Sequence, residues 1–303
     1  MITPATTDDA AGIAALGSLV SPHQLNSIRG VAHRMRVLPD SARRAQWKVE
    51  RDDVIVGYAV AALDVLSADP GRAFCSVRVH PDHRGRGIGT ALWEVVEPHL
   101  DRIGAQATTT FTLDHAPSVT FAEQRGFEKT SSDALSAIDP RALPSPPDPP
   151  AGIRLHPAAN WLDDPTPVYE LDLAGGIDEP GDVDFSGMTF ELWLGDIWSD
   201  PDYDYDLGTV AVADGKVVSM SMLLVDPDAG RAVSGFAATL RAYRGRGLAG
   251  LCKHHTLAKA ATAGITHAIA FNDDTNAPML AINRRLGYRP FATAFRWRRD
   301  VRS

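Results

Sequence analysis

The sequence is short of cysteine, of long apolar runs and of positive charge, and each shortage excludes something. Two cysteines in 303 residues, Cys75 and Cys252, cannot build a disulfide framework. They fall in different halves of the chain, so they are not expected to pair, and no metal-ligand spacing surrounds either. This usage fits a reducing compartment. No apolar run reaches the ~20 residues that span a bilayer. Met1-Ile2-Thr3-Pro4-Ala5 lacks the basic-then-apolar pattern of a signal peptide. A cytoplasmic location and no membrane partner are expected. The formal net charge is −8, which argues against a general nucleic-acid binder with its basic face.

What the chain has is bulk, with 44% hydrophobic and 22% charged residues, enough for about two domains. It also has a loop that occurs twice. The first copy is Arg84-Gly85-Arg86-Gly87-Ile88-Gly89-Thr90, and it follows a strand pattern ending at Val77-Arg78-Val79. The second is Arg244-Gly245-Arg246-Gly247-Leu248-Ala249, starting 160 positions later. Other landmarks keep the spacing. Gly104 and Gly264, the expected helix C-caps, are 160 apart. Gly126-Phe127 and Gly287-Tyr288 are 161 apart, as are His115-Ala116-Pro117 and Asn276-Ala277-Pro278. This is an internal duplication.

Between the copies, residues 139–150 read Asp-Pro-Arg-Ala-Leu-Pro-Ser-Pro-Pro-Asp-Pro-Pro. So much proline suits neither a helix nor a central strand, and the segment reads as a semi-rigid linker. One domain is expected over 1–138, the linker over 139–152 and a second domain over 153–303. Each half reads as a strand, helices, a three-strand meander, the glycine loop, a helix, a strand, a short helix and a last strand. In the second half, 163–200 reads as acidic loops with a helix near 188–198.

Alternate glycines let the backbone turn sharply and bring its N–H groups close to a ligand. The helix that starts immediately afterwards adds unpaired N–H groups and a positive dipole end. Arg84, Arg86, Arg244 and Arg246 add charge. The favoured ligand is an anion, most simply a diphosphate. Neither copy has the Lys-Ser/Thr of a Walker loop. Gly245-Arg246-Gly247-Leu248-Ala249-Gly250 matches GxGxxG, but it follows an antiparallel meander instead of the first strand of a βαβ unit.

This order and these loops resemble the GNAT acyltransferase superfamily, and the resemblance covers both halves. It implies an α+β fold, an α/β sandwich made of two domains, each a mixed, mostly antiparallel sheet flanked by helices. The layout is like that of tandem members such as mycothiol synthase. It implies acetyl-CoA, or another acyl-CoA, as co-substrate, no metal, and a small-molecule or peptide amine as acceptor. The family loop Gln/Arg-x-x-Gly-x-Gly/Ala is matched by Arg84, Gly87 and Gly89, and by Arg244, Gly247 and Ala249. By the same resemblance, Val77 and Val79, and Ala237 and Thr239, would pair through their backbones with the pantetheine arm. Ile88, Thr90 and Leu248 begin the helices that face the diphosphate, and Asn276 stands where the family binds the CoA arm.

Two family features are missing. The Tyr that serves as general acid is replaced by Ala122 and Asn283, and the strand Glu has no counterpart in Cys75-Ser76-Val77-Arg78 or Ser234-Gly235-Phe236-Ala237-Ala238. The catalytic residues are therefore unassigned. Glu191, Asp204 and Asp206 are candidate carboxylates that also suit a solvated loop. Of His254 and His255, at least one is expected to point into its domain, and Tyr288 to be a core aromatic. Asn276 favours the second half as the catalytic one. An acyl-CoA sensor without turnover is the alternative, and the assembly is a monomer or homodimer.

Overall fold

In chain order the computed structural model, which describes residues 1–177, 180 and 184–300, begins with β1 (Ile2–Pro4), α1 (Ala10–Val20), α2 (Ile28–Arg34), β2 (Ala45–Arg51) and β3 (Val54–Leu63). It continues with β4 (Arg72–Val79), α3 (Ile88–Arg102), β5 (Ala107–Leu113), α4 (Ala116–Glu123) and β6 (Glu128–Ile138). The second half opens with β7 (Ile153–Pro157), α5 (Thr166–Gly176), α6 (Phe190–Trp193), β8 (Thr209–Ala213) and β9 (Lys216–Asp226). It ends with β10 (Arg231–Thr239), α7 (Leu248–Thr262), β11 (His267–Asp273), α8 (Ala277–Leu286) and β12 (Arg289–Asp300). The helix expected near 188–198 is a short α6 that widens into a π turn over Leu194–Trp198. The sequence reading missed α5. Part of the acidic stretch expected there, residues 178, 179 and 181–183, lies outside the described residues.

Two compact units form. One comprises Met1–Ser132, Ser186–Asp200 and Ala294–Ser303; the other comprises Asp133–Phe185 and Pro201–Thr293. In the first unit the strand order is β1-β2-β3-β4-β5-β12. Its meander β1–β4 is antiparallel, β4 and β5 are parallel, and β12 returns antiparallel on β5. The second unit repeats this plan as β7-β8-β9-β10-β11-β6, again with one parallel pair, β10 with β11.

The single cut expected at 139–152 therefore does not describe the compact units. Residues Asp133–Ile138 of β6 pair with β11, and Ala294–Asp300 of β12 pair with β5. Segment 186–200 also joins the first unit. The reason is that β6 and β12 are equivalent strands of a duplicated plan. Alternation fixes which face of a strand is apolar, not which open edge it covers. The tertiary contacts make the choice. Trp297 of β12 is 3% exposed in the core of the first unit and donates from Nε1 to Thr112 Oγ1 at 2.9 Å. Arg299 pairs with Glu97 at 2.7 Å and lies over the Trp93 ring. In the second unit Leu135 is fully buried, and Ile138 packs with Tyr288 and Leu257.

Core packing in the first unit follows from β3, which is apolar on both faces. Val56 meets α3 through Leu92, Trp93 and Val96. Ile55 and Tyr58 meet α1 and α2 through Ile13, Leu16 and Val31. The sheet is thus sandwiched between two helical layers. On α3, Val95 is only half-buried, while His99 is buried with Nε2 2.8 Å from the Arg43 carbonyl oxygen.

Candidate active site

Each glycine loop links a strand end to a helix N-terminus by the same local contacts. Arg84 Nε donates to the carbonyl oxygen of Val79 at 3.2 Å, and Arg244 Nε donates to that of Thr239 at 3.0 Å. The arginine thus ties its loop back to the strand it follows. Gly87 and Gly247 are the N-caps of α3 and α7, with φ of 79° and 77°. Gly85 and Gly245 also have positive φ. A Cβ on any of these four would meet nothing within 4 Å. Glycine is needed here for its backbone angle, and the space beside it is open for a ligand. No acidic residue stands in the first turn of either helix, so the N–H groups of Ile88, Gly89 and Thr90, and of Leu248 and Ala249, face the loop with their dipole uncompensated. Gly89 differs: a Cβ there would come within 3.0 Å of Phe121, so its smallness serves the packing of α4. Arg86 and Arg246 are exposed, and Arg246 lies over the Tyr243 ring at 4.9 Å.

The strand before each loop parts from its parallel neighbour. The β4–β5 ladder holds only from Arg72 to Phe74 on the β4 side, although β4 runs to Val79. Thr110 Oγ1 donates to the Cys75 carbonyl oxygen at 2.8 Å at the point of parting. In the second unit the β10–β11 ladder stops at Val233, and a bulge follows between Ser234 and Ala237. Val77 and Val79, and Ala237 and Thr239, lie beyond these points. Their edges are open to an extended ligand that pairs by backbone hydrogen bonds.

Asn276 caps α8, its Oδ1 accepting from Met279 N at 3.3 Å. Its amide nitrogen stays available to a ligand. The position of the absent family Tyr is filled differently in the two units. Ala122 is buried in the first core. Asn283 accepts from Lys253 Nζ at 2.7 Å and donates to Asn272 Oδ1 at 2.7 Å. Lys253 lies 4.7 Å from the centre of the Tyr288 ring, and burial pushes its pKa down to about 7. Tyr288 is a core residue, 3% exposed. Neither His254 nor His255 points into the core as expected. Their Nε2 atoms lie 2.8 and 2.9 Å from the carbonyl oxygens of Pro144 and Pro147, so they fasten the proline linker, and the inward residue of that helix turn is Lys253. Burial raises both thiols, Cys75 to about 12 and Cys252 to about 11, so neither is a nucleophile at neutral pH.

Of the candidate carboxylates, Glu191 is exposed. Asp204 Oδ1 accepts from the N–H groups of Asp206 and Leu207 at 3.1 and 3.0 Å, which makes it a turn residue. Asp206 is exposed, and its carbonyl oxygen accepts from Lys259 Nζ. The sequence reading did not find the polar cluster on the α1–α2 side of the first unit. Arg78 of β4 stands opposite Tyr58 of β3. Tyr58 donates to Gln46 Oε1 at 2.6 Å, and burial raises its pKa, so it is a neutral donor. Arg44 bonds to the Arg34 carbonyl oxygen, and Arg34 pairs with Asp200 at 3.3 Å. Asp196 faces Arg44 and His33, and burial raises its pKa above the usual carboxylate range in spite of them. These residues come from α2, the segment just before β2, the strands and the turn 194–200, far apart in sequence; only the alternation that puts Tyr58 on the α1 side hints at them.

On the equivalent face of the second unit, Ala238 stands in the place of Arg78 and is 6% exposed. A Cβ on Gly175 of α5 would come within 2.7 Å of the Ala238 Cβ, and one on Gly235 within 2.5 Å of the Tyr203 ring. Helix and tyrosine lie directly on this strand. Among the described residues no group of three or more His, Cys, Asp or Glu could hold a metal ion, and no helix is long and apolar enough to cross a membrane.

Comparison with known proteins gives a consistent result. The model of the acetyltransferase (GNAT) family matches residues 24–127 and 167–288. A mycothiol acetyltransferase of Saccharomonospora viridis is 28% identical over 248 residues, which cover 79% of this chain and 78% of that protein. Among solved structures, a tandem GNAT protein from the clavulanic acid biosynthesis pathway superposes with a TM-score of 0.75 at 22% identity, covering 100% of this chain and 99% of that one. A GCN5-related N-acetyltransferase from Sphaerobacter thermophilus gives 0.72 at 22% identity, covering 100% and 96%.

Proposed function

For a chain that belongs to the GNAT acetyltransferase family, and is thus an acyl-CoA-dependent N-acyltransferase with the fold in tandem, we propose that both glycine loops hold the diphosphate of acetyl-CoA or another short acyl-CoA and that the first unit carries out transfer to an amine. The loops fit such a group: their φ angles are set, no Cβ fills the cradle, and helix N–H groups face it. The co-substrate supplies an activated thioester. The open edges at Val77 and Val79 orient its arm by backbone pairing, and Arg84 keeps strand end and loop together.

Asn276 favours the second unit in the sequence, and the side chains of the acceptor face favour the first. The observation that carries this reading is the polar cluster of Tyr58, Arg78, Arg44 and Asp196, set against the tight cover of Ala238 and Gly235 in the second unit. An alkyl ammonium has a pKa near ~10 and must lose its proton before attack. Asp196, a half-buried carboxylate whose pKa is raised by desolvation, is the candidate base for that proton. The nitrogen then forms the C–N bond to the acyl carbon and gives up its second proton to solvent, the C–S bond breaks, and the thiolate takes a proton from solvent. With a thiol pKa near ~8.5, it leaves without a tyrosine acid. The second unit, on this reading, binds acyl-CoA without turnover.

The test follows free thiol while the chain is incubated with acetyl-CoA and a panel of amines. Amine-dependent thiol release that is lost on altering the first loop (Gly87→Asp) and kept on altering the second (Gly247→Asp) is expected. Release that follows the second loop, or none with any amine, would overturn it.

A further inference from the structure

The two copies differ at one position in a way that bears on the acceptor. Arg78 and Ala238 are equivalent, each one residue before the end of the strand that feeds its loop. The second unit fills this place with a methyl group under a helix. The first places a guanidinium there, on the face where α1 and the 21–27 turn lie. A Cβ on Gly17 of α1 would be 3.4 Å from Arg78 Nη1, so helix and guanidinium are in contact. The hydrogen bond of Arg78 goes to a neutral acceptor: Nη2 donates to Gln24 Oε1 at 3.2 Å.

The other arginines of the cluster have carboxylates. Arg34 has Asp200 at 3.3 Å, and Arg44 has the field of Asp196. Arg78 faces Tyr58 and Arg34, a neutral phenol and a second cation. Its guanidinium stays charged at any working pH, and it has five N–H donors in a planar fork. Among the described residues, one partly buried positive charge is therefore left without an anion beside the strand edge that would hold the acyl donor. Burying such a group costs stability unless something in the working complex pairs with it.

We propose that Arg78 anchors a carboxylate of the acceptor, so that the first unit acylates amines carrying a carboxylate a few bonds from the nitrogen. This rests on the reading that the first unit is the transferring one. A carboxylate matches the fork in both geometry and charge: two oxygens accept two parallel N–H groups, and one negative charge balances one unmatched positive charge. A phosphate dianion would leave an unmatched negative charge among Asp196 and Asp200. In the second unit Ala238 offers no such anchor.

The test measures kcat and KM of the full chain with acetyl-CoA for glycine, β-alanine and 4-aminobutyrate, each against its primary amide, with rates normalised to neutral amine. Phosphoethanolamine is a further arm. The wild type is expected to favour the carboxylates, mainly in KM, by about 10- to 150-fold, the range for a hydrogen-bonded charge. Arg78→Met should bring the ratio near one, and Arg78→Lys should restore part of it. The ratio is internal to each protein, so a lower folded fraction cancels. A wild-type ratio near one, an unchanged ratio in R78M, or a preference for phosphoethanolamine would each overturn the carboxylate assignment while leaving the transferase reading standing. Thiol release that follows only the second loop would overturn both.

Discussion

Replacing Gly247 with aspartate separates what the loop does for the fold from what it does for a ligand. Gly247 has φ 77°, and a Cβ there meets nothing within 4 Å. The cost to folding is therefore the left-handed backbone alone, about 1–2 kcal/mol for an ordinary residue and less for aspartate. The new carboxylate sits at the N-terminus of α7, where it gains about 0.3–1 kcal/mol from the dipole. The two effects nearly cancel, and the thermal midpoint should move by no more than a few degrees. Binding is another matter. A carboxylate about 4 Å from a diphosphate charge, at an effective dielectric constant of 20, is repelled by about 4 kcal/mol. That is roughly a thousandfold in affinity for each charge it faces. Titration calorimetry with CoA should find two sites in the wild type and one in Gly247→Asp. Gly247→Asn, of the same shape and equally tolerant of the backbone, should keep the second site. Two undiminished sites in a folded Gly247→Asp would refute the assignment of this loop to a diphosphate.

Other consequences can be checked directly. Asp196→Asn should lower kcat/KM by about 10²–10⁴ and remove the limb of the pH profile that rises as the wild-type carboxylate ionises; an unaltered profile would exclude Asp196 as the base. Lys253 is fully buried with a pKa of about 7 against an ordinary 10.5. Its folded pKa is depressed, so the unfolded chain binds more protons between these values, and stability should rise as pH rises from about 7 to 10.5. Lys253→Met should flatten that slope in urea titrations at pH 7 and 9.5; equal slopes would mean the lysine is not buried uncharged. Trp297→Ala removes the ring that β12 inserts into the first core and leaves a cavity, costing about 3–5 kcal/mol; a loss below 1 kcal/mol in denaturant titration would mean that β12 does not complete this sheet.

Several features were legible because they are local. A glycine with positive φ at a helix start, an arginine beside it and a strand before it all lie within a dozen residues, and the duplication confirmed the pattern by repeating it at 160 positions. Local features of the same kind are the helical spacing of Leu92 and Val96, both buried on α3, and the Asp214-Gly215 turn that joins β8 to β9. The polar cluster of the first unit was not legible. Tyr58, Arg78, Arg44 and Asp196 belong to four separate segments, and nothing in the charge of 186–200 says which sheet it will pack on. His254 and His255 misled for a related reason: helical spacing ranks positions by direction but does not show that a linker lies along one side.

The sequence alone determined the two copies of one α+β plan and the backbone geometry of both loops, because these follow from steric limits and hydrogen-bond groups within a few residues of each other. The tertiary structure alone decided that β12 completes the first sheet and β6 the second, that α5 seats its Gly175 on Ala238, and that Arg78 stands among buried polar groups. Those outcomes depend on which of several chemically equivalent surfaces meet, and period and propensity are the same for each.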